Sequence, residues 1–271
     1  MANPRNATTT ARGRTYKWRD ETFTSVTTII GGGIPKPALV NWAAKRVAEI
    51  AVGKHNVWTR MDNPMEQIDW LKRAPYREKE GAALQGSAIH DWAEKRVLGL
   101  PVTVEDMPPE QRPYGEAFLQ FVGEMHPEWE MAEASVFNRE HGYAGTLDAL
   151  MRVPAMGDGL GLVDYKTGKG VYGEVALQLS AYRSAEFVGL ADGAEVPMPP
   201  VEWCAVLHIT ERGYQLIPVD AGPLAFEYFL HAQAVRDFCD DISRGVLLAP
   251  VAVPQDPPRD SAPTNVAALV D

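Results

Sequence analysis

Apolar and polar positions along the chain follow two periods, and the change between them falls near the middle. Residues 38–53, 64–73 and 113–126 carry apolar side chains at helical spacing, with Trp42 and Trp70 on the first two. A further helix is predicted from Arg77 to about Leu98. Its second half, "GSAIHDWAEKRVLG", sets Gly86, His90, Ala93 and Val97 on one face at steps of 4, 3 and 4. From about residue 130 the period drops to two. "EMAEASVFN" alternates, with Met131, Glu133 and Ser135 against Ala132, Ala134 and Val136, and predicts a strand. Tyr143–Val153 is a second strand. "GLVDYK" is a third, and its apolar run marks a strand buried on both faces. Residues 173–190 then read as a helix, 201–209 and 213–219 as a hairpin turning near Glu211–Gly213, and 223–245 as a closing helix. Upstream, Phe23–Ile30 reads as a β-rich or buried entry segment, and Gly31–Pro37 as a turn.

These elements predict an α/β protein with a helical N-terminal subdomain. One domain is expected over 16–249, its helical part about 38–126 and its sheet core about 130–245. Residues 1–15 are polar and without periodicity, and are expected to be a disordered basic arm. The tail 250–271 is Pro-rich and expected to be disordered. No internal repeat is visible.

Composition narrows the function. The chain has 271 residues, 45% of them hydrophobic, enough for a sizeable core. No apolar run approaches the roughly 18 residues of a membrane span, and the first twenty residues lack the apolar stretch of a secretory signal. A cytoplasmic protein is therefore expected. Cys204 and Cys239 are too few for a zinc ribbon or an iron–sulfur cluster, each of which takes about four ligands. No Gly-x-x-x-x-Gly-Lys-Ser/Thr loop is present, so no ATP site is expected. The net charge of −10 argues at first against nucleic acid. Its distribution qualifies this: 16 of the 26 Lys+Arg but only 10 of the 36 Asp+Glu lie in residues 1–100. The arm residues Arg5, Arg12, Arg14, Lys17 and Arg19 belong to that basic half. They suit either a phosphate-binding surface or a plain solvated arm.

The candidate chemistry begins in "GLGLVDYKTGKG". Asp164 and Lys166 are two apart, so on a strand they share a face. By themselves they fit an ordinary solvated turn as well as a catalytic pair. Asp148, in the apolar "GTLDAL", lies sixteen positions upstream across the "PAMGDG" hairpin. Antiparallel pairing puts the two carboxylates at about the same height in the sheet, where a cation between them would relieve their repulsion. Mg²⁺ suits one or two carboxylates with waters and phosphate. His90, on the inward helix face, is either a ligand or a structural histidine. Gln178 and Tyr182, one helical turn apart, form either a functional pair or an exposed face.

Taken in order, Gly86–His90 (Gly-x-x-x-His), Gly145–Asp148 (Gly-x-x-Asp), Asp164–Lys166 (Asp-x-Lys) and Gln178–Tyr182 (Gln-x-x-x-Tyr) resemble the RecB-like branch of the PD-(D/E)XK nuclease superfamily. Within it the chain is most similar to phage-encoded exonucleases related to the CRISPR-associated RecB-like nucleases, without their cysteine cluster. The likeness covers roughly residues 80–210, and "TSVTTII…IPKPALVNWAAKRVAE" also looks like the N-terminal region of phage members. The resemblance implies a restriction-endonuclease-like core, a mixed sheet flanked by helices. It also implies Mg²⁺- or Mn²⁺-dependent hydrolysis of DNA, in phage recombination, replication or processing. On that pattern Asp148, Asp164, His90 and the carbonyl of Tyr165 hold the metal. Lys166 orients the attacking water or neutralises the phosphate, and Gln178 and Tyr182 hold Lys166 or the DNA. Glu133 lies near a position where the family often has an acid, and is either a support for the ligands or a plain strand acid. Leu147 stands where the superfamily's name has proline, as is usual in this branch. A strand-annealing partner protein is a further implication. An endonuclease on the same fold and a non-catalytic DNA-binding subunit are the alternatives.

Overall fold

The computed structural model describes residues 6–10 and 12–249. Residues 1–5, 11 and 250–271, which include Arg5 of the arm and the whole Pro-rich tail, lie outside the described residues. The chain divides into two compact units, 1–236 and 237–271. Of the second unit, residues 237–249 are described. They begin with a wide helical turn, Phe238–Ile242, after which the Ser243 hydroxyl donates to the Cys239 carbonyl at 2.9 Å.

The first unit opens with three strands, β1 (Ala7–Thr10), β2 (Gly13–Trp18) and β3 (Glu21–Ser25). Five helices follow: α1 (Val26–Gly33), α2 (Pro37–Gly53), α3 (His55–Trp58), α4 (Pro64–Lys72) and α5 (Ala74–Val97). Proline stands in the first turn of α2, α4 and α5, where its missing N–H costs nothing. Asn63 caps α4 by accepting from the Met65 amide at 2.9 Å. Helix α6 (Arg112–Met125) ends on His126, which takes the left-handed conformation at φ 48°. Then come β4 (Glu128–Asn138), β5 (Tyr143–Arg152), β6 (Gly161–Lys166), α7 (Val175–Arg183), β7 (Phe187–Gly189), β8 (Glu195–Pro197), β9 (Trp203–Thr210), β10 (Gly213–Pro218) and α8 (Pro223–Asp237).

The ten strands form one mixed sheet flanked by helices, as expected for the fold class. Strand β5 is its hub. Antiparallel β4 covers one edge of β5 from end to end. Two strands share the other edge. Parallel β3 pairs with its start, at Tyr143 and Ala144, and antiparallel β6 pairs with its end, at Ala149–Met151. Residues 145–148 of that edge therefore face a fork. Beyond β6 the sheet continues through parallel β9 and antiparallel β10.

Alternation along β6 feeds two cores. Leu162 joins Val26, Ile29, Leu147, Leu179 and Phe229, under α1, α7 and α8. Val163 and Tyr165 join Ile89, Trp92, Phe118 and Phe121, under α5 and α6. A third cluster gathers Tyr16, Trp18, Phe23, Phe137 and Phe187 at the β1–β3 end. Among the described residues no helix is long and apolar enough to cross a membrane.

Three expectations change. The described part of the arm is not disordered: it forms β1 and the start of β2, because Tyr16 and Trp18 bury their rings against Phe137. Phe23–Ile30 is half strand and half helix, and the three glycines of the expected turn extend α1. The helix expected over 173–190 stops at Arg183, and Phe187–Gly189 instead pairs with β4. Packing decides this last case. Gly189 lets the Trp18 ring approach to 2.6 Å of where a Cβ would sit.

Gly33 and Gly31 of α1 differ in the same respect. A Cβ on Gly33 would land on the backbone carbonyl of Ala232 in α8, whereas one on Gly31 would meet nothing within 4 Å. We expect Gly33→Ala to destabilise the protein by about 1–3 kcal/mol. Gly31→Ala should be neutral or stabilise by up to about 1 kcal/mol. Urea midpoints of the two variants check both values.

Candidate functional site

Strand register brings three acids to one level. Ala132 pairs with Ala149 and Ala134 with Leu147, so Glu133 of β4 stands opposite Asp148 of β5. Ala149 pairs with Val163, and the next step of that ladder sets Asp148 opposite Asp164 of β6. Glu133, Asp148 and Asp164 thus occupy one rung across three adjacent strands.

The register of β4 on β5 shifts between Trp129 and Met131 and is continuous through this rung, yet the facing of the side chains is irregular here. Leu147 and Leu150 both enter the core under α7, three residues apart instead of two, and so do their partners Ala134 and Met131. The simple alternation expected for Met131–Val136 is therefore broken by one residue, on both strands at once. Glu133 sits at the break with φ 47°, a left-handed conformation that a non-glycine residue adopts at a cost. On the far side of β5 the ladder to β6 gives way to a side chain. The Asp148 carboxylate accepts the Tyr165 amide at 2.5 Å.

Helices complete the group from both layers. His90 of α5 places Nδ1 3.6 Å from Asp148 Oδ1, and its ring meets the edge of Tyr165 at 5.9 Å. Gly86, one turn earlier, leaves room for Thr167 beside it. From the other layer, the Gln178 amide of α7 donates to Asp164 Oδ1 at 2.7 Å. Lys166 Nζ lies 2.6 Å from Asp164 Oδ2. Tyr182 packs its ring where a Cβ on Gly145 would otherwise sit. Glycine in Gly-x-x-Asp and tyrosine in Gln-x-x-x-Tyr are therefore two halves of one contact.

An open cleft of about 400 Å³ is lined by His90, Glu133, Asp148, Asp164, Lys166, Gln178 and Tyr182. Arg14 and Tyr16 of β2 line it too. Arg14 was expected only as one of several phosphate-binding candidates on a disordered arm, and Tyr16, at the first residue of the expected domain, was not singled out. The Arg14 backbone is pinned twice by Thr28: its amide donates to the hydroxyl at 2.9 Å, and its carbonyl accepts from it at 3.2 Å. Tyr16 is fixed by a 3.0 Å hydrogen bond between its hydroxyl and that of Thr146.

One subset suits a cation. Ligand atoms of His90, Glu133 and Asp148 all lie within 4.8 Å of one another. Two carboxylates and an imidazole are a donor set for Mn²⁺ or Mg²⁺, with the imidazole favouring Mn²⁺. Glu133, expected to be a support or a plain strand acid, belongs to this subset. Asp164, also expected as a ligand, has its oxygens engaged by Lys166 and Gln178. Gln178 was expected to hold Lys166 or DNA and holds Asp164. Tyr165 contributes its amide to Asp148, while its buried hydroxyl accepts from Trp129 Nε1 at 3.1 Å.

Proton affinities follow from the crowding. Burial, then the charge of Asp148, pushes Glu133 up to about 8. The same two causes push Asp164 up to about 6, against the pull of Lys166. For Asp148 burial works upward, but the charge and hydrogen bond of His90 outweigh it and hold the carboxyl below its usual range. Burial would lower His90, but Asp148 overrides it and raises the imidazole to about 9. Lys166 is likewise raised, since Asp164 and Asp148 outweigh burial.

No family model matches the chain. No curated protein matches it either.

A cation entering this subset must displace protons. His90 and Glu133, raised to about 9 and about 8, both hold theirs at pH 7. Mn²⁺ binding should therefore release about two protons at pH 7 and tighten as pH rises to about 9. Calorimetry in buffers of different ionisation enthalpy reads the release, and a pH-independent affinity contradicts this ligand set.

Proposed function

We propose that the protein is a Mg²⁺- or Mn²⁺-dependent deoxyribonuclease with a PD-(D/E)XK core of the RecB-like kind, working as an exonuclease. One observation carries the reading: three carboxylates share a rung, with a histidine on one flank and a lysine two residues past the third acid. Nothing in the packing of a core calls for such a rung, since each buried acid costs free energy unless a partner charge offsets it.

His90, Glu133 and Asp148 would hold the metal. When bound it supplies positive charge at a phosphate oxygen and an acidified water. Lys166, kept charged by Asp164 and Asp148, offers a second positive centre beside the phosphate. Gln178 fixes Asp164, and through it the position of the Lys166 ammonium. Arg14 adds a third positive group on the cleft wall. Five acids, Asp91, Glu94, Glu133, Asp148 and Asp164, line the same cleft, so a polyanion would be attracted once the metal adds its charge to those of Lys166 and Arg14.

Asp164→Ala and Lys166→Ala should each lower metal-dependent DNA degradation by about 100-fold or more, with circular dichroism unchanged. Wild-type rates in either pure variant sink the mechanism. End-labelled linear DNA and a closed circle, each with and without Mn²⁺, test the mode of action. Loss of the linear form alone fits an exonuclease. Nicking of the circle makes the protein an endonuclease, and binding without cutting makes it a non-catalytic DNA-binding subunit.

Arg14→Ala should weaken DNA binding and reduce the slope of log affinity against log salt by about 1. An unchanged slope, read by fluorescence anisotropy, removes Arg14 from the phosphate path.

A further inference from the structure

A second cavity, of about 180 Å³, adjoins the cleft and shares Thr27, Lys166 and Gln178 with it. It lies between α1 and α7. Part of its wall is aliphatic, from Ile30, Val171 and Val175. Its rim carries charge: Lys36 Nζ and Glu174 Oε1 pair at 2.7 Å. Tyr172, also at the rim, leaves 71% of its surface exposed. The volume is below the roughly 300–1000 Å³ of sites for drug-sized ligands, which suits a single ring system.

Gly31 is the informative wall residue. It sits within α1, where glycine is the poorest helix former after proline. Its φ is not positive, and a Cβ there would meet nothing. Neither the backbone nor packing asks for glycine at 31, in contrast to Gly33 two residues on. What glycine provides at 31 is room in the cavity.

We propose that this cavity receives one unstacked nucleobase of the DNA strand being cut, next to the phosphate that Lys166 faces. The inference rests on the nuclease reading and adds a base-binding subsite to it. The aliphatic part of the wall accepts the faces of a base, the Tyr172 ring offers a stacking surface at the mouth, and Lys166 stands where the attached phosphate must pass. Thr27, Lys36, Lys166, Glu174 and Gln178 line the same cavity, so both donors and acceptors are at hand for the edge of a base.

The full chain in EDTA, where no cutting occurs, is mixed with single strands carrying 2-aminopurine at successive positions from either end. At one position the fluorescence should change by about two-fold or more on binding. Gly31→Leu, which fills the cavity, should abolish that change without lowering the melting temperature and with Mn²⁺ affinity as in the wild type. Gly31→Ala should give a smaller loss of the same signal. An unaltered signal in Gly31→Leu, or no position-dependent signal in a wild-type protein that does cut DNA, overturns the subsite and leaves the nuclease reading standing. A wild-type protein that neither binds nor cuts DNA overturns both.

Discussion

Three carboxylates held at one level of a sheet repel one another, and much of the first unit is arranged around that repulsion. Strand pairing forces Glu133, Asp148 and Asp164 together, at a place where water is partly excluded. Each then needs a counter-group, and each has a different one. Asp148 has His90 and a backbone amide, Asp164 has Lys166 and Gln178, and Glu133 holds a proton. The counter-groups come from opposite layers, α5 on one side and β6 with α7 on the other. The acids therefore tie both helical layers to the same strand. Low local dielectric strengthens these attractions, and it would make the loss of any one partner costly.

The fork beside β5 makes the rung accessible. Had β6 paired along the whole edge of β5, backbone hydrogen bonds would have closed the sheet over Asp148. Instead β3 takes the first part of that edge and β6 the last, and the interval is spanned by side chains. The left-handed Glu133 and the matched one-residue skip in β4 and β5 belong to the same solution. They turn the acids toward the cleft while letting apolar neighbours on both sides return to the core. Strain of this kind persists only where surrounding structure over-determines it, and here two paired strands do so.

Much of this was legible in the sequence where the signal was local. The apolar run before Asp164 marked a doubly buried strand, and the spacing of two set Lys166 on the same face. Sixteen residues and a glycine-rich hairpin placed Asp148 level with Asp164. The steps of 4, 3 and 4 turned His90 inward. What escaped depends on partners far along the chain. Strands β1 and β2 are polar, and their apolar anchors are Tyr16 and Trp18, packed on Phe137. That concealed the place of Arg14 on the cleft wall. Phe187–Gly189 follows a helix without a clear break, and its strand character comes from β4. The role of Glu133 needed its left-handed backbone, which alternation alone does not reveal.

The fork also sets when the site can exist. Its groups are spread from Arg14 to Tyr182, and β5 must acquire neighbours from both earlier and later parts of the chain before they meet. A chain that has emerged only as far as Arg152 already carries His90, Glu133 and Asp148, but it lacks Asp164, Lys166 and Gln178. Such contacts between distant segments form late in folding. The arrangement is therefore all-or-none: an incomplete molecule holds two of the three acids without the lysine, and the full group meets only in the finished sheet.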